Sequence, residues 1–332
     1  MAPFTIGQAT DLVDLSIQKI FLKSSNPEEQ YKKYFNFRTT EDYYEKDSGL
    51  SGLGRASFVD ENAVITSDTP IQTFDKSYTQ EMIGTILPFS HRMWKFGIKK
   101  RDLENVVQEL RNADLREREQ LCAERLTNGF DSTSYTHYTT AGSKSITTSG
   151  GDSVGAFDNS HTREDSGTDM NNVVYDGTTY NPVFDYSGVK SAYRTAAQFV
   201  DPRGNPMPAS LDTLVCKKGS SVHFKAMEIL GAIKKGWIPE STDHDASAVG
   251  AFTIIPLDYL TADAKWFMFD SSKKSDRQGF QFIESESITL EKPNIVYKTL
   301  EIQVAEHSMF QLGHNDVARM WVGSEGDSST PS

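Results

Sequence analysis

The sequence contains few cysteines, two among 332 residues, and the two lie in unrelated settings. Cys122 falls within a charged helical pattern, whereas Cys216 belongs to the short strand-like segment Thr213–Lys217. A disulfide framework is therefore not expected. A reducing compartment such as a cytoplasm suits this chain best.

Long apolar runs are also missing. No run approaches the ~20 residues that a membrane-spanning helix requires. The first eight residues have neither the basic region nor the apolar region of a secretory signal. We therefore expect neither membrane insertion nor secretion.

Positive charge is scarce relative to negative charge. The chain has 34 lysines and arginines against 46 aspartates and glutamates, a net charge of −12. It has no basic block long enough to hold duplex phosphate, so sequence-specific DNA binding is not expected. The same acidity allows the protein to lie near nucleic acid without adhering to it.

The usual signatures of catalysis and of nucleotide or metal binding are absent or incomplete. The chain has no Walker A motif and no H-E-x-x-H motif. Gly151–Gly155 matches G-x-S-x-G, but a nucleophile elbow needs a strand before Ser153 and a helix after it, and neither flank shows one. His161–Asp165 has no second histidine or cysteine at zinc spacing. The glycines of Gly49–Gly54 do not complete a dinucleotide fingerprint. We expect no enzyme activity, no cofactor and no metal.

The most informative segment that is present is a long, charged helical pattern over Ile98–Thr127. At ~1.5 Å per residue this helix is roughly 45 Å long, which would cross most of a compact molecule whose radius of gyration is about 20 Å. Fourteen charged residues of mixed sign lie between Lys99 and Arg125. Apolar residues recur along it at helical spacing and form one narrow stripe: Leu103, Val106, Val107, Leu110, Ala113, Leu121 and Leu126.

The charges of this helix have two interpretations. Lys100–Glu104 and Asp114–Arg118 are spaced as local pairs worth roughly 0.3–0.5 kcal/mol each on a solvated face. Local pairing explains only part of the charge, and we favour an interface with other subunits. Four arginines are candidates for acidic partners there: Arg101, Arg111, Arg116 and Arg125.

Before the helix, the pattern predicts a terminal helix, a joint and a hairpin. Thr10 caps an amphipathic helix that ends near Phe21 and docks either on its own core or on a neighbouring subunit. Gly49–Gly54 reads as a flexible joint. Phe58–Ser90 reads as extended chain that reverses at Asp68–Pro70 and again near Asp75–Lys76. It has too few consecutive apolar residues for a core sheet, so we expect a projecting hairpin.

After the helix, Thr127–Tyr186 is polar and predicts a surface excursion with short strands at Ser145–Thr148 and Val173–Tyr175. Helices are predicted after caps at Ser187 and Ser220, the second one ending at Gly231. The last third predicts strands: Ala251–Pro256, Trp266–Asp270, a long strand through Phe280 and Leu290, and another through Leu300, Ile302 and Val304. The tail 325–332 is predicted to be disordered.

In this order, the segments resemble the major capsid proteins of tailed bacteriophages, which have the Hong Kong 97-type fold. Tyr78–Phe89 is similar in rhythm to the strand that leads into the spine helix of the family. Ala156–His161 resembles a short motif that follows that helix, with Asp158 where asparagine is usual. Trp266–Asp270 and Arg319–Ser324 resemble its last core strand and its closing strand. The resemblance covers nearly the whole chain and rests on the order of the elements.

The resemblance implies an α+β Hong Kong 97-like capsid fold divided into named parts. These are an N-arm (1–48), an extended β-hairpin loop (49–95), a peripheral domain with the long spine helix and a surface excursion (96–185), an axial domain (186–275), returning long strands with the closing strand (276–324), and a disordered tail (325–332).

The implied function is that of a virion structural protein. The chain would self-assemble as hexamers and pentamers into an icosahedral shell around double-stranded DNA, in the host cytoplasm. The implied partners are a separately encoded scaffolding protein, a portal and a decoration protein. The extended loop would lie across the spine helix of a neighbour, and the candidate interface residues are Asp75, Lys76, Arg101, Arg111 and Arg116. Some members of the family cross-link lysine to asparagine, which would make Lys76 a donor with Asn294 or Asn315 as acceptor.

Three other functions stay open at this point. An encapsulin-like nanocompartment would have the same fold but enclose protein cargo. A secreted β-rich binding module is disfavoured by the absence of a signal segment and of any N-x-S/T sequon. A serine hydrolase would depend on Ser153.

Overall fold

The structure is a computed structural model that describes residues 28–90, 100–130, 134–235, 250–274, 278–296 and 298–330. The terminal helix predicted over residues 10–21 lies outside the described residues. Within them the chain forms a mixed α+β fold. In chain order its elements are β1 Asn36–Thr39, β2 Tyr44–Asp47, β3 Lys76–Thr79, β4 Glu81–Ser90, α1 Lys100–Thr127, β5 Ser134–Thr139, β6 Gly142–Thr147, α2 Tyr186–Ala197, β7 Thr213–Lys217, α3 Ser221–Lys235, β8 Thr253–Leu257, β9 Trp266–Phe269, β10 Gly279–Leu290, β11 Asn294–Val296, β12 Glu301–Asn315 and β13 Trp321–Ser324.

The larger sheet is organised around β12. Its fifteen residues pair antiparallel with β10 on one side and with β4 on the other. β1 then pairs parallel with β10, and β11 pairs with the start of β12. The burial of β12 alternates along most of its length, as expected of a strand with one packed face. Its buried residues Ile302 and Val304 pack against Val107 and Leu110, so α1 covers this face.

Helix α1 confirms the long helix predicted from the sequence. It has 28 residues and is therefore about 42 Å long. The expectation that only a narrow apolar stripe faces the molecule is wrong. Asp114, Arg118, Glu119 and Arg125 are all buried, because the surface beneath them carries matching polar groups.

The smaller sheet has the strand order β13-β9-β7-β8. β7 pairs parallel with β8 and antiparallel with β9, and β13, from the far end of the chain, pairs with β9. Strands β7, β9 and β13 are almost wholly buried because side chains pack on both faces, whereas β8 at the edge is partly exposed. On one side Trp266 and Met268 meet the apolar side chains of α2 and α3.

On the other side of this sheet an aromatic cluster fills the space towards the larger sheet. The ring of Phe269 stacks on Trp321 at 4.3 Å, and Trp321 lies edge-on to Phe280 of β10 at 5.0 Å. Phe157 contacts Phe267 at 5.0 Å. The Ala156–His161 motif therefore supplies a core side chain, while Asp158 accepts hydrogen bonds from the backbone N–H and the hydroxyl of Ser160.

The segment before α1 differs from the projecting hairpin that was expected. β4 is a ten-residue strand of the larger sheet, paired with β12 from Ser90 to Glu81. β3 pairs with β2, and this hairpin closes a loop over residues 48–75 in which no strand forms. The sequence was misleading because β4 lies at a sheet edge with most of its residues exposed, so it lacks the apolar run of a central strand.

Helix and strand boundaries also differ in places. The cap of α2 is Asp185, which accepts a hydrogen bond from the backbone N–H of Gly188 at 2.6 Å, and not Ser187. Gly231 does not end α3, which continues to Lys235. Leu300 is not a strand residue: it has a left-handed φ of 54° and lies in the turn before β12. Strand β5 was missed because its polar composition resembles a loop.

The tail is ordered by hydrogen bonds as far as the structure describes it, to residue 330, contrary to the disorder predicted for it. The backbone N–H of Ser328 donates to the carbonyl of Asn181 at 2.9 Å. Glu325 pairs with Lys265 at 2.5 Å. Ordering is possible because the buried Asn181 side chain accepts from the backbone N–H of Glu325 and donates to Ser329.

Gly313 of β12 is a position where the fold has no room for a side chain. A Cβ there would lie 2.9 Å from Cδ1 of the buried Tyr78 ring and closer still to Cε1. We expect Gly313→Ala to lower the free energy of unfolding by about 1–3 kcal/mol, since overpacking forces the ring or the strand to move. Urea denaturation measures this. Gly52→Ala is the matched control, because a Cβ at Gly52 meets nothing within 4 Å; equal losses in both variants would contradict the packing argument.

Candidate subunit interface

The loop over residues 48–75 is held together at its base. We call this loop the excursion; it is not the surface excursion that the sequence predicted over residues 127–186. The backbone N–H of Ser51 donates to the carbonyl of Ile71 at 2.7 Å, and that of Thr73 to the carbonyl of Gly49 at 2.9 Å. The Thr73 hydroxyl accepts from the backbone N–H of Gly49 at 2.8 Å. These bonds join the two arms of the excursion where it leaves the β2–β3 hairpin.

The middle of the excursion is fastened to the segment between α2 and β7. Arg203 pairs with Asp68 at 2.9 Å and also donates to the carbonyl of Thr69. The Asp68 carboxylate accepts a further hydrogen bond from the backbone N–H of Gly54 at 2.7 Å. This bond, followed by the Arg203 pair, lowers the pKa of Asp68. Both arms of the excursion are thus tied together and to the body.

The tip of the excursion, residues 55–66, exposes apolar side chains. Phe58 and Val64 are almost completely exposed, and Ile65 is 76% exposed. Exposed apolar clusters of this kind mark interaction surfaces on soluble proteins. The tip has the character of half of an interface.

The exposed face of α1 carries Arg116, one of the candidate interface residues. It pairs with Glu109 at 2.8 Å, and both side chains are more than half exposed. Exposed pairs of this kind contribute little to stability, so they can exchange partners. Arg111 is half-buried and has contacts within its own chain. The side chain of Arg101 lies outside the described part of α1.

Asp75 and Lys76, the other two candidates, lie at the base of the excursion and not at its tip. Asp75 pairs with Lys46 at 2.6 Å. The ammonium of Lys76 donates to the carbonyl of Ser149 at 2.7 Å. Both charges have partners within the subunit, and their role between subunits remains a prediction, as does the cross-linking of Lys76.

The inner face of α1 carries an ion-pair network that the sequence did not reveal. Arg118 pairs with Asp114 at 2.5 Å and with Glu284 of β10 at 2.6 Å. Ser308 of β12 donates its hydroxyl proton to Asp114 at 2.5 Å. Arg118 also lies 4.9 Å from the centre of the Phe310 ring. The spacing of Asp114 and Arg118 indicated a pair, but not that the pair is buried.

Glu306 lies next to this network without joining it. Its side chain is buried, and neither carboxylate oxygen has a hydrogen-bond partner among the described residues. Burial and, to a smaller extent, the negative charge of Asp114 raise the pKa of Glu306 to about 8, a net shift from which the charge of Arg118 has already subtracted a part. Glu306 is therefore protonated at neutral pH.

A buried histidine clamps the β5–β6 hairpin onto α1. His137 contacts Glu117 through Nε2 and Glu124 through Nδ1, both at 2.6 Å. Burial lowers the pKa of His137, but the two hydrogen bonds to carboxylates outweigh it and the net shift is upward. Each ring nitrogen thus faces a carboxylate of α1, and His137 links the β5–β6 hairpin to the helix.

Arg125 does not face other subunits. Its guanidinium is buried, donates to the carbonyl of Thr147 and donates to Nδ1 of His314 at 3.0 Å. Its proposed contact with a neighbouring chain is wrong, because the last turns of α1 are covered by the β5–β6 hairpin and by the end of β12.

The residues that could have indicated catalysis form no such site. Ser153 lies in a turn with a left-handed φ of 69°, with no strand before it and no helix after it. His161 contacts Asp152 at 2.6 Å and Asn172 at 3.1 Å, which accounts for both ring nitrogens. Within the described ranges no cluster of three or more metal-ligating residues occurs. None of the helices there combines the length and apolarity needed to cross a bilayer.

Comparison with known proteins bears on the fold. No protein-family model and no curated protein matches the sequence. The structure is similar to capsid subunits from an empty and a native GTA particle, each with a TM-score of 0.50, 10% sequence identity and 90% of both chains covered. A structure from Mycobacterium phage Adephagia covers 99% of this chain and 100% of its own at 11% identity, with a TM-score of 0.49.

The chain thus has the fold of a capsid subunit, and the resemblance read from the order of its elements is confirmed at the level of the fold. At 10% identity the likeness carries no individual residue roles.

Glu306 gives a prediction about pH. Because its pKa is raised in the folded state from 4.5 to about 8, the folded state holds a proton that the unfolded chain releases, and stability falls as the pH rises from about 4.5 to 8. We expect the wild type to lose about 2 kcal/mol or more between pH 5 and pH 8 relative to Glu306→Gln, which cannot ionise. Chemical denaturation across this range measures the difference.

Glu301→Gln is the control for this experiment, because Glu301 lies on the same strand at a partly exposed position. It should follow the wild-type pH profile. Parallel profiles for the wild type and Glu306→Gln would show that Glu306 does not hold the proton.

Proposed function

We propose that this protein is a shell-forming capsid subunit. The observation that carries the proposal is the apolar tip of the excursion, exposed on a chain whose fold matches capsid subunits along 90% of its length. An isolated soluble protein gains nothing from presenting Phe58, Val64 and Ile65 to water. A subunit that buries them against a second copy does, because area burial drives association.

In the finer version of the proposal, the subunits form hexamers and pentamers of an icosahedral shell. The parts named in the sequence analysis would then act as N-arm, extended loop, peripheral domain and axial domain. The shell would enclose double-stranded DNA, with a scaffolding protein, a portal and a decoration protein as further partners. Assembly would take place in the host cytoplasm and the product would be a virion. The net charge of −12 supports enclosure without adhesion, since like charges repel.

The contact proposed between subunits joins the excursion of one copy to α1 of the next. The tip would bury its apolar side chains against the outer face of the neighbour's helix, where Arg116 is exposed. Arg101 and Arg111 lie on the same helix, and Asp75 and Lys76 at the base of the excursion would fix its angle. A closed shell repeats this contact many times, so each copy of it can be weak.

The first test removes the apolar tip. We expect the triple variant Phe58→Ser, Val64→Ser and Ile65→Ser to fold with unchanged thermal stability but to form at least about tenfold fewer shells, because loss of roughly 25 cal/mol per Å² of buried apolar area is multiplied over the shell. Electron microscopy and sedimentation count the shells. Val183→Ser, at an exposed apolar position outside the excursion, is the control.

Wild-type protein that stays monomeric under all conditions, or a triple variant that assembles as well as Val183→Ser, would contradict the proposal. The nucleic acid content of purified wild-type shells then separates a DNA-filled capsid from a nanocompartment with protein cargo.

The second test addresses Arg116. We expect Arg116→Glu to slow shell assembly about three- to tenfold and to make the remaining assembly less sensitive to salt, because a rim charge acts mainly on association. Light scattering at low and high salt measures the rate. Lys225→Glu on α3, an equally exposed lysine paired with Glu228, is the matched control; equal slowing would reduce the effect to net charge.

A further inference from the structure

Arg125 is a buried cation whose charge is not balanced by any described acidic residue. Its guanidinium meets only the carbonyl of Thr147 and Nδ1 of His314, and its Nε has no hydrogen-bond partner. Among the described residues no Asp or Glu acts on it: besides burial, only Tyr135 and Tyr78 influence its pKa. Burial lowers the pKa of Arg125 only to about 10, so the group is charged at neutral pH.

Lys76 brings a second positive charge to the same place. Its pKa is lowered by burial and then by the charge of Arg125, and the two residues line one cavity. Asp152 is the acidic group that acts on Lys76; its carboxylate also contacts His161 at 2.6 Å, and its single negative charge can balance only one of the two cations. The ammonium of Lys76 itself donates to a neutral carbonyl, that of Ser149.

Neutral neighbours cannot balance these charges. His314 accepts a hydrogen bond from Arg125, and burial followed by the charges of Arg125 and Lys76 lowers the pKa of His314, so the ring is neutral. Two like charges in a medium of low polarity are costly, and buried charges in proteins are as a rule paired. The buried positive charges of Arg125 and Lys76 therefore need an anion to balance them.

A cavity of about 290 Å³ lies where that anion would be needed. The charged and polar side chains in its lining include Lys76, Arg125, Lys144 of β6, Ser145 and Thr147, and apolar side chains such as Ile83 and Leu312 complete it. The one acidic residue in the lining, Glu81, is paired with Lys144 at 2.5 Å. Apart from that pair, the charged residues of the lining are Lys76 and Arg125. A tetrahedral oxyanion with a few waters fits a space of this size.

We propose that this cavity binds a small phosphate-like oxyanion, held by the guanidinium of Arg125 and the ammonium of Lys76. The site joins three elements: β3 at the base of the excursion, the last turn of α1, and β6. A bound anion would stiffen the base of the excursion against the helix. The proposal does not depend on shell assembly, and it is tested on the unassembled chain.

Inorganic phosphate is the probe, with isothermal calorimetry and thermal unfolding at constant ionic strength as the readouts. We expect saturable binding of one phosphate per chain and a rise in Tm that follows the same saturation curve. Lys76→Met should weaken binding by about tenfold or more, since it removes one charge-assisted hydrogen bond. Lys46→Met is the matched control, because Lys46 is exposed and paired with Asp75, and it should bind within about twofold of the wild type.

Arg125→Met should abolish binding, and the Lys76 variant keeps the test decisive should Arg125→Met fail to fold. Absence of saturable binding by the wild type overturns the proposal, as does equal affinity in the wild type and Lys76→Met. Asp131 lies outside the described residues, and Asp131→Asn is measured in parallel. The proposal is wrong if two results occur together: phosphate has no effect on the wild type, and Asp131→Asn destabilises the chain as much as Arg125→Met does. In that case the charge of Arg125 is balanced by a carboxylate of the chain itself.

Discussion

The burial of Arg118 is the interaction on which the arrangement of this molecule depends. Its guanidinium joins Asp114 on its own helix to Glu284 on β10 and lies over the ring of Phe310. Phe310 in turn stacks on Phe282 at 4.9 Å, and Phe282 stacks on Tyr31 at 4.7 Å. Removing one partner of such a buried pair costs about 3–5 kcal/mol, because a charge is left without compensation. The pair therefore fixes the position of α1 over the sheet.

This constraint separates the two faces of a helix that looks uniformly charged in the sequence. On the inner face, charged side chains are buried. Arg118 and Arg125 are among them, and Glu119 accepts a hydrogen bond from the backbone N–H of Tyr31 at 3.2 Å. The outer face keeps residues such as Arg116 exposed. Only the outer face is therefore available to a partner. The candidate interface on α1 is smaller than the charge pattern alone indicated.

The sequence predicted elements whose signals are local. The period of 3.6 residues predicted α1 because apolar residues recur along a single segment, and the apolar run Thr213–Lys217 matches β7 residue for residue. The order of such elements was sufficient to indicate the fold.

Features that depend on distant partners were not predictable. Whether Arg118 is solvated or buried is decided by Glu284, which lies 166 positions along the chain. Whether β4 projects or joins the sheet is decided by β12. The cations Arg125 and Lys76 come together because the end of α1 and β3 line the same cavity, an arrangement that no periodicity encodes. The local sequence pattern indicates which segments tend to form helices or strands. Whether a polar group is buried depends on its distant partners in the assembled fold.

The excursion shows how such distant contacts divide one loop into fixed and free parts. Its base is fixed by the bonds between Gly49 and Thr73, and its middle by Arg203 with Asp68. What remains without ties to the body is the tip, where the exposed apolar side chains lie. A loop free along its whole length would lose the conformational entropy of every residue on binding, whereas this one has already lost most of it on folding. In the proposed contact between subunits, the binding energy of the tip would therefore be reduced only by the ordering of residues 55–66.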